Sequence, residues 1–309
     1  MELEYVIDGR NLKKRFKGFE LNIERLQIPK GYATALIGEN GAGKTTLLNI
    51  LAGIRLDYQG ELQFFGKYTD ADREAQPEVK EKIGYTGPGN YYIPQWNIRQ
   101  VAEVSELLFS NFHRERFERW CGELAIGSTA ADKRRKVSAL SDGNRMKLMI
   151  AGVLARDTQL LLMDEPASPL DPLMRDRLCG LIQEYLLEDE GERSVFFSTH
   201  NVSDMENVTD YAVIMECGRI VETGFVEDLK EKYLLVKGEP EYADRAQASM
   251  FTMSRGRYGF EGICLAENLD SLAGCGVSVE TPSLSQISVA IMKRYSRLSE
   301  DAGSRGGAK

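Results

Sequence analysis

Between Gly38 and Thr46 the chain reads Gly-Glu-Asn-Gly-Ala-Gly-Lys-Thr-Thr, which fills every fixed place of the pattern G-x-x-x-x-G-K-[ST]. Gly38, Gly41 and Gly43 let backbone approach anionic oxygens. Glu39, Asn40 and Ala42 complete a loop whose N–H groups point inward, and the helix start after it adds a positive dipole. Lys44 supplies a compact cation for terminal phosphates, and the Thr45 hydroxyl, followed by Thr46, can ligate a magnesium ion that keeps several of its waters. Far downstream, Asp164 and Glu165 end the apolar run "LLLM", and His200 ends "SVFFST". An acidic pair by itself is a common way for a buried strand to exit into solvent. Together with an upstream phosphate cradle, Asp164 can hold magnesium and Glu165 can orient an attacking water, with His200 beside them at the γ phosphate. His113, within "FHRERF", has no such setting and reads as a surface residue.

These residues need a sheet to bring them together. "ATALIG" before the cradle is continuously apolar, as expected of a strand covered on both faces in a parallel sheet. Leu47, Leu48 and Leu51 then recur at helical spacing, and Gly53 is placed as a helix stop. "YVIDGRNLKKRF", "FELNIERLQIPKG" and "GELQFFG" alternate as half-exposed strands do. From about 85 to 150 the spacing turns helical, with Val101, Val104, Leu107, Leu108 and Phe112 predicted to share one stripe. "LLLMDEP" and "SVFFSTH" return as buried strands around a helix, and "DYAVIMECGRIVETG" reads as a hairpin turning at Cys217 and Gly218. After about 233 the segments shorten and end in the amphipathic "LSQISVAIMKRYSRL", which predicts a small appended α+β unit. The polar, Gly-rich tail from Asp301 to Lys309 is predicted to be disordered.

The 309 residues suffice for one large or two modest domains, and the formal net charge of −8 argues against a protein that coats nucleic acid. The basic runs Lys13–Arg15 and Lys133–Lys136 read as solvated faces. Five widely spaced cysteines without a C-x-x-C pair predict reduced thiols in a cytosol. No apolar run approaches the roughly 18 to 20 residues of a membrane span, so any membrane would be crossed by another chain.

The cradle, the stretch "LSDGNRMKL" and the acidic pair, in that order, resemble the ATP-binding cassette (ABC) ATPases of membrane transporters over roughly residues 1 to 235. The resemblance implies an α/β fold of the P-loop NTPase (RecA-like) kind: a core sheet with an antiparallel β subdomain and an inserted α-helical subdomain at about 86–150; the small C-terminal α+β extension, placed at 236–309, lies beyond its reach. It implies ATP and Mg2+ as cofactors, with Thr45 and Asp164 at the metal and Glu165 and His200 in catalysis. Phe16 is expected on the adenine, Ser141 and Gly143 at the signature, and Asp171 of "SPLD" on the loop joining two nucleotide sites. Expected partners are an integral membrane permease and a second cassette, identical or not, at the inner face of the membrane, with no nucleic acid. The ending "VETPSLSQISVAIMKRY" looks like exporter-type cassettes serving drug, bacteriocin or lantibiotic permeases. Two departures stand out. Gly87 or Pro88 occupies the place of a magnesium-sensing glutamine after "IGY", with Gln95 out of register, and Asp142 and Asn144 replace a glycine and a glutamine of the signature. A soluble cassette acting on DNA or ribosomes, and an ATP-gated regulatory subunit with little turnover, are the rival expectations.

Overall fold

The computed structural model describes residues 3–89, 91–127, 129 and 134–305. Lys133 of the basic run and residues 306–309 of the tail lie outside them. Ten helices and fourteen strands suffice to place the chemistry. β1 (Tyr5–Phe16) and β2 (Phe19–Pro29) pair antiparallel through a turn at Gly18, whose φ of 86° suits glycine. With β4 (Gln59–Phe64) and β5 (Tyr68–Thr69) they form a sheet in the order β2-β1-β4-β5. β3 (Ala33–Ile37) is buried along its whole length and lies in the second sheet.

That sheet runs β10-β9-β3-β8-β7-β6. β6 is Ile83–Thr86, β7 Leu160–Met163, β8 Ser194–Thr199, β9 Tyr211–Glu216 and β10 Arg219–Phe225. β3 is parallel to β8 and β9, and β7 is parallel to β6 and β8. The carboxyl ends of β3, β6, β7 and β8 therefore share one edge. Side-chain alternation along β3 serves two cores. Ala33, Ala35 and Ile37 face one cluster, whereas Leu36 faces another built from Leu47, Leu48, Leu51 and the β1–β2 residues Leu12, Leu21 and Ile23. Burial on both faces explains why these strands read as apolar runs.

α1 (Lys44–Leu51) follows β3; α2 (Asp70–Ala75) and α3 (Pro77–Glu81) precede β6. Between β6 and β7 lie α4 (Ile98–Leu108), α5 (Arg114–Glu123) and α6 (Asp142–Leu154). The predicted single stripe is corrected here. Leu107 and Leu108 are 85% and 66% exposed, and the buried face of α4 is Ile98, Val101, Ala102 and Ser105. The helix stops where Phe109 turns extended, at φ −125° and ψ 116°, so Phe112 reaches the core from a connection and not from the stripe. His113 is exposed as expected and is hydrogen-bonded to Asp157 at 2.7 Å.

α7 (Pro172–Leu187) joins β7 to β8. β9 and β10 form the expected hairpin, with Cys217 at φ 46° and Gly218 at φ 78°, the two positive values of a two-residue turn that follows strand twist. After α8 (Val226–Lys232) come β11 (Tyr233–Gly238), α9 (Ala243–Ala246), β12 (Met250–Gly256), β13 (Gly259–Leu265) and β14 (Ser278–Glu280). They make a third sheet, β12-β13-β11-β14, over its own small core at Val236, Phe260 and Cys264. α10 (Leu284–Arg305) returns to the large core through Leu284, Ile287, Ala290 and Ile291, and it continues into the first residues of the predicted disordered tail. Among the described residues no disulfide joins the cysteines, and no helix is long and apolar enough to cross a membrane.

Candidate functional site

The edge shared by β3, β6, β7 and β8 collects the residues singled out by sequence, the location at which open α/β sheets hold ligands. Gly38–Gly43 leave β3 and wrap to the start of α1. Gly41 and Gly43 have φ of 89° and 108°, values closed to most side chains. Gly38 is required for a different reason, since a Cβ there would stand 2.5 Å from the Met215 carbonyl oxygen. The Cys217–Gly218 turn backs the loop, with the Gly218 N–H donating to Ala42 O at 2.9 Å. Lys44 is 6% exposed and donates to the carbonyl oxygens of Gly38 (2.7 Å) and Glu39 (3.2 Å). Its ammonium thus lies inside the loop, where a triphosphate's terminal oxygens would meet it. The surrounding cleft, about 300 Å3, is lined by Phe19, Asn40, Gly41, Gly43, Lys44, Thr45, Thr46 and Glu165.

Asp164 and Glu165 follow β7, and of the two Glu165 lines this cleft. Asp164 is fully buried, and its amide donates to Thr86 O at 2.7 Å. One carboxylate oxygen, Oδ1, accepts from the Ser198 hydroxyl at 2.6 Å, whereas Oδ2 is buried with no hydrogen-bond partner. A buried carboxylate oxygen without a donor is costly unless a cation or ordered water meets it. Hard oxygen donors from Asp164 and the exposed Thr45 fit a magnesium ion that takes its remaining ligands from phosphate and water. In keeping with that sparse protein share, the described residues hold no group of three His, Cys, Asp or Glu able to chelate a metal alone.

Glu165 adopts φ 50°, an uncommon conformation for a non-glycine residue, and such strain concentrates at functional sites. Its carboxylate spans the cleft, with Oε1 3.4 Å from Lys44 Nζ and Oε2 2.7 Å from His200 Nδ1. Lys44 at the start of α1, Glu165 after β7 and His200 after β8 therefore form one chain of contacts. At 43% exposure His200 can meet a bound group from the solvent side.

Other expected residues stand apart. Ser141 caps α6, its Oγ accepting from the Asn144 N–H at 3.3 Å; Asp142 pairs with Arg145. Gly143 sits against the 168–171 loop, where a Cβ would meet Pro169 O at 2.7 Å, and Asp171 caps α7 through the Met174 N–H. None of these side chains bonds to the cradle or the acidic pair. Phe16, at the end of β1, lies outside the cleft lining. Its ring is 6.0 Å from Phe19 and has Lys14 and Arg55 at 5.5 and 5.2 Å. Phe19 is the aromatic at the cradle, its ring 2.8 Å from where a Gly43 Cβ would be.

The loop after β6 departs as the sequence indicated. The Tyr85 hydroxyl donates to Asn49 Oδ1 of α1 at 3.1 Å and fills the space of a side chain at 87, standing 2.3 Å from the Cβ position of Gly87. Burial, with the Asp164 charge adding to it, pushes the Tyr85 hydroxyl up, so it stays protonated. Gln95 is exposed on the following loop. Sequence reasoning missed Ser198, Phe19 and Tyr85. Ser198 carried a usable signal, a polar residue inside an otherwise apolar buried run. The larger cleft between β12–β13 and α10, about 940 Å3, is lined by Phe251, Ile263 and Val289 with Lys293 and Arg294 at its rim, and holds none of this chemistry.

Residues 21–168 match the family model described as ABC transporter. The nickel import ATP-binding protein NikO of Rhodobacter capsulatus is 28% identical over 229 residues, 70% of this chain and 87% of NikO. The energy-coupling factor transporter ATP-binding protein EcfA2 of Methanospirillum hungatei is 31% identical over 209 residues, 66% of this chain but only 50% of EcfA2. Among solved structures, an ATP-binding cassette captured as a dimer in a post-hydrolysis state with ADP and Pi superposes with a TM-score of 0.61 at 20% identity, covering 71% of this chain and 98% of that one. At that identity the likeness establishes the cassette fold alone.

Proposed function

We propose, from the match of residues 21–168 to the ABC transporter family model and the likeness to NikO and EcfA2, that the chain is the ATP-hydrolysing subunit of a transporter, acting at the inner face of the membrane through a separate permease. The single observation that carries hydrolysis is the Lys44–Glu165–His200 chain beside the unpartnered Asp164 Oδ2. Gly38–Thr46 bind the triphosphate of ATP, and Thr45 and Asp164 hold Mg2+. The metal, when bound, neutralises charge on the transferred phosphate. Glu165 orients the attacking water and takes its proton, and His200 holds the Glu165 carboxylate in place. Phe16 and Phe19 offer rings for the adenine.

Ser141, Gly143 and Asp171 serve a second cassette, identical or not, in a head-to-tail pair in which each ATP lies between the cradle of one chain and the α6 tip of its mate. Support comes from the exposed α6 N-terminus, whose positive dipole end suits an anion. Residues 1–235 form the ATPase domain, with 86–150 as its helical insert, and 236–309 an accessory domain whose helix α10 docks back on the ATPase core. Export is the polarity we propose, resting on the likeness of residues 279–295 to exporter-type endings; the name of NikO says import. Magnesium-dependent ATPase activity of the purified chain, silenced by Glu165→Gln with ATP binding retained, is the expected result. Turnover unchanged by that substitution overturns the assignment. Uptake into inverted vesicles containing the permease, against efflux from them, decides the polarity.

A second reading has one observation behind it. With Gly87 closed off by Tyr85, the loop after β6 lacks the side chain expected to sense magnesium, which favours a nucleotide-gated subunit with low turnover. A magnesium titration that never lifts ATPase activity above background, while ATP still binds, selects that reading.

A further inference from the structure

We propose that the Ser198 hydroxyl is the positioning group that sets both halves of the acidic pair, aiming Asp164 at the metal and fixing the backbone turn that aims Glu165. The inference deepens the nucleotide-site reading above and rests on it. Ser198 lies on β8, between the cradle strand β3 and the acidic strand β7, and is fully buried. A hydroxyl has one proton to give and two lone pairs to accept with. Ser198 gives its proton to Asp164 Oδ1 at 2.6 Å and accepts the Glu165 N–H at 2.9 Å.

Each bond has its own consequence. The first occupies one oxygen of a carboxylate that is otherwise sealed from water, which leaves Oδ2 as the oxygen available to a cation and fixes the rotation of the group. The second tethers the amide of a residue held at φ 50°, a conformation that persists only where its surroundings enforce it. Released from that tether, Glu165 can relax, and its reach to Lys44 and His200 changes. Thr199 next in sequence turns its hydroxyl to the Asn201 backbone instead, so it does not duplicate the contact. Partners that orient a metal-ligating carboxylate typically cost about 10- to 100-fold in metal affinity when removed.

The test measures Mn2+ bound to the full-length chain with ATP by electron paramagnetic resonance, alongside the affinity for ATP in EDTA. Ser198→Ala and Ser198→Cys both keep the strand filled but lose the strong O–H donor. Each is expected to weaken Mn2+ binding about tenfold or more with metal-free ATP affinity unchanged, and to lower kcat more than it raises KM for ATP. Ser198→Thr, which keeps the hydroxyl, is expected to hold Mn2+ within about threefold of the parent; Mn2+ binding as weak as that of Ser198→Ala counts against the hydroxyl. Parent-like Mn2+ affinity in Ser198→Ala overturns the proposal, as does a parallel loss of metal-free ATP binding. A parent chain that binds no Mn2+–ATP at all overturns the nucleotide-site reading first, a result legible before any variant is made.

Discussion

α1 and α6 both present an N-terminus to whatever binds, and their surroundings differ sharply. At α1 the loop glycines, a buried ammonium, the acidic pair and the histidine converge from three strands of one sheet. At α6 there is a serine cap, an aspartate 82% exposed that pairs with Arg145, and the backbone of the 168–171 loop. Both tips carry the same partial positive charge from aligned peptide dipoles. The difference teaches that a helix tip gathers a site when the sheet supplies the rest of it; the second body proposed for the tip of α6 would have to supply what its own sheet does not.

The contrast can be tested by damaging one tip at a time. Glu165→Gln carries the largest expected effect, a loss of turnover of about 10² to 10³-fold with ATP still bound, and it should leave a stable, ATP-dependent pair visible by light scattering. Lys44→Ala comes next: ATP affinity should fall about 10- to 100-fold, the scale of a lost charge-assisted contact, by equilibrium dialysis. Ser141→Arg acts only at the second tip. It should leave ATP affinity of the single chain intact while turnover drops about tenfold and pairing is lost, apart from the roughly 1 kcal/mol that a missing N-cap costs in stability. If Ser141→Arg weakened ATP binding to the isolated chain as Lys44→Ala does, the two tips would not be separate. Comparing Phe19→Ala with Phe16→Ala sharpens the cradle side. We expect Phe19→Ala to raise KM for ATP the more, by about threefold to tenfold on the scale of one aromatic contact.

The smallest effect concerns the hairpin behind the cradle. Glu216 is buried, and burial raises its carboxyl above the usual value, with Glu39 of the loop adding to that. A raised carboxyl means that the folded chain binds its proton more tightly than the unfolded one, so this group's contribution to stability declines as pH rises from the ordinary carboxylate value through the folded one. Glu216→Gln should therefore raise Tm slightly at pH 8, and the gain should shrink toward pH 4.

Much of the site was legible in the chain. The glycine loop that the spacing of Gly38, Gly43, Lys44 and Thr45 predicts is the loop that wraps from β3 to α1, because its geometry is local and written in consecutive residues. The buried strands were legible for an equally plain reason, since a strand covered on both faces must be apolar throughout. The helical insert was read less well. Leu107 and Leu108 fit a stripe by spacing, yet α4 ends there and leaves them exposed, and periodicity alone cannot reveal where a helix stops. Ser198, Phe19 and Tyr85 were not found, because what each does depends on a neighbour many residues away.

By itself, then, the sequence determined the glycine loop before α1, the acidic pair, the order of the motifs and the apolar strands of a parallel sheet, all of which rest on bonds and periods within a few residues. Only the tertiary structure decided that β8 lies between the cradle strand and the acidic strand. From that order follow the single hydroxyl shared by Asp164 and Glu165 and the contact of Glu165 with both Lys44 and His200. Strand order is set by burial and packing across the whole molecule, and no short window of residues contains it.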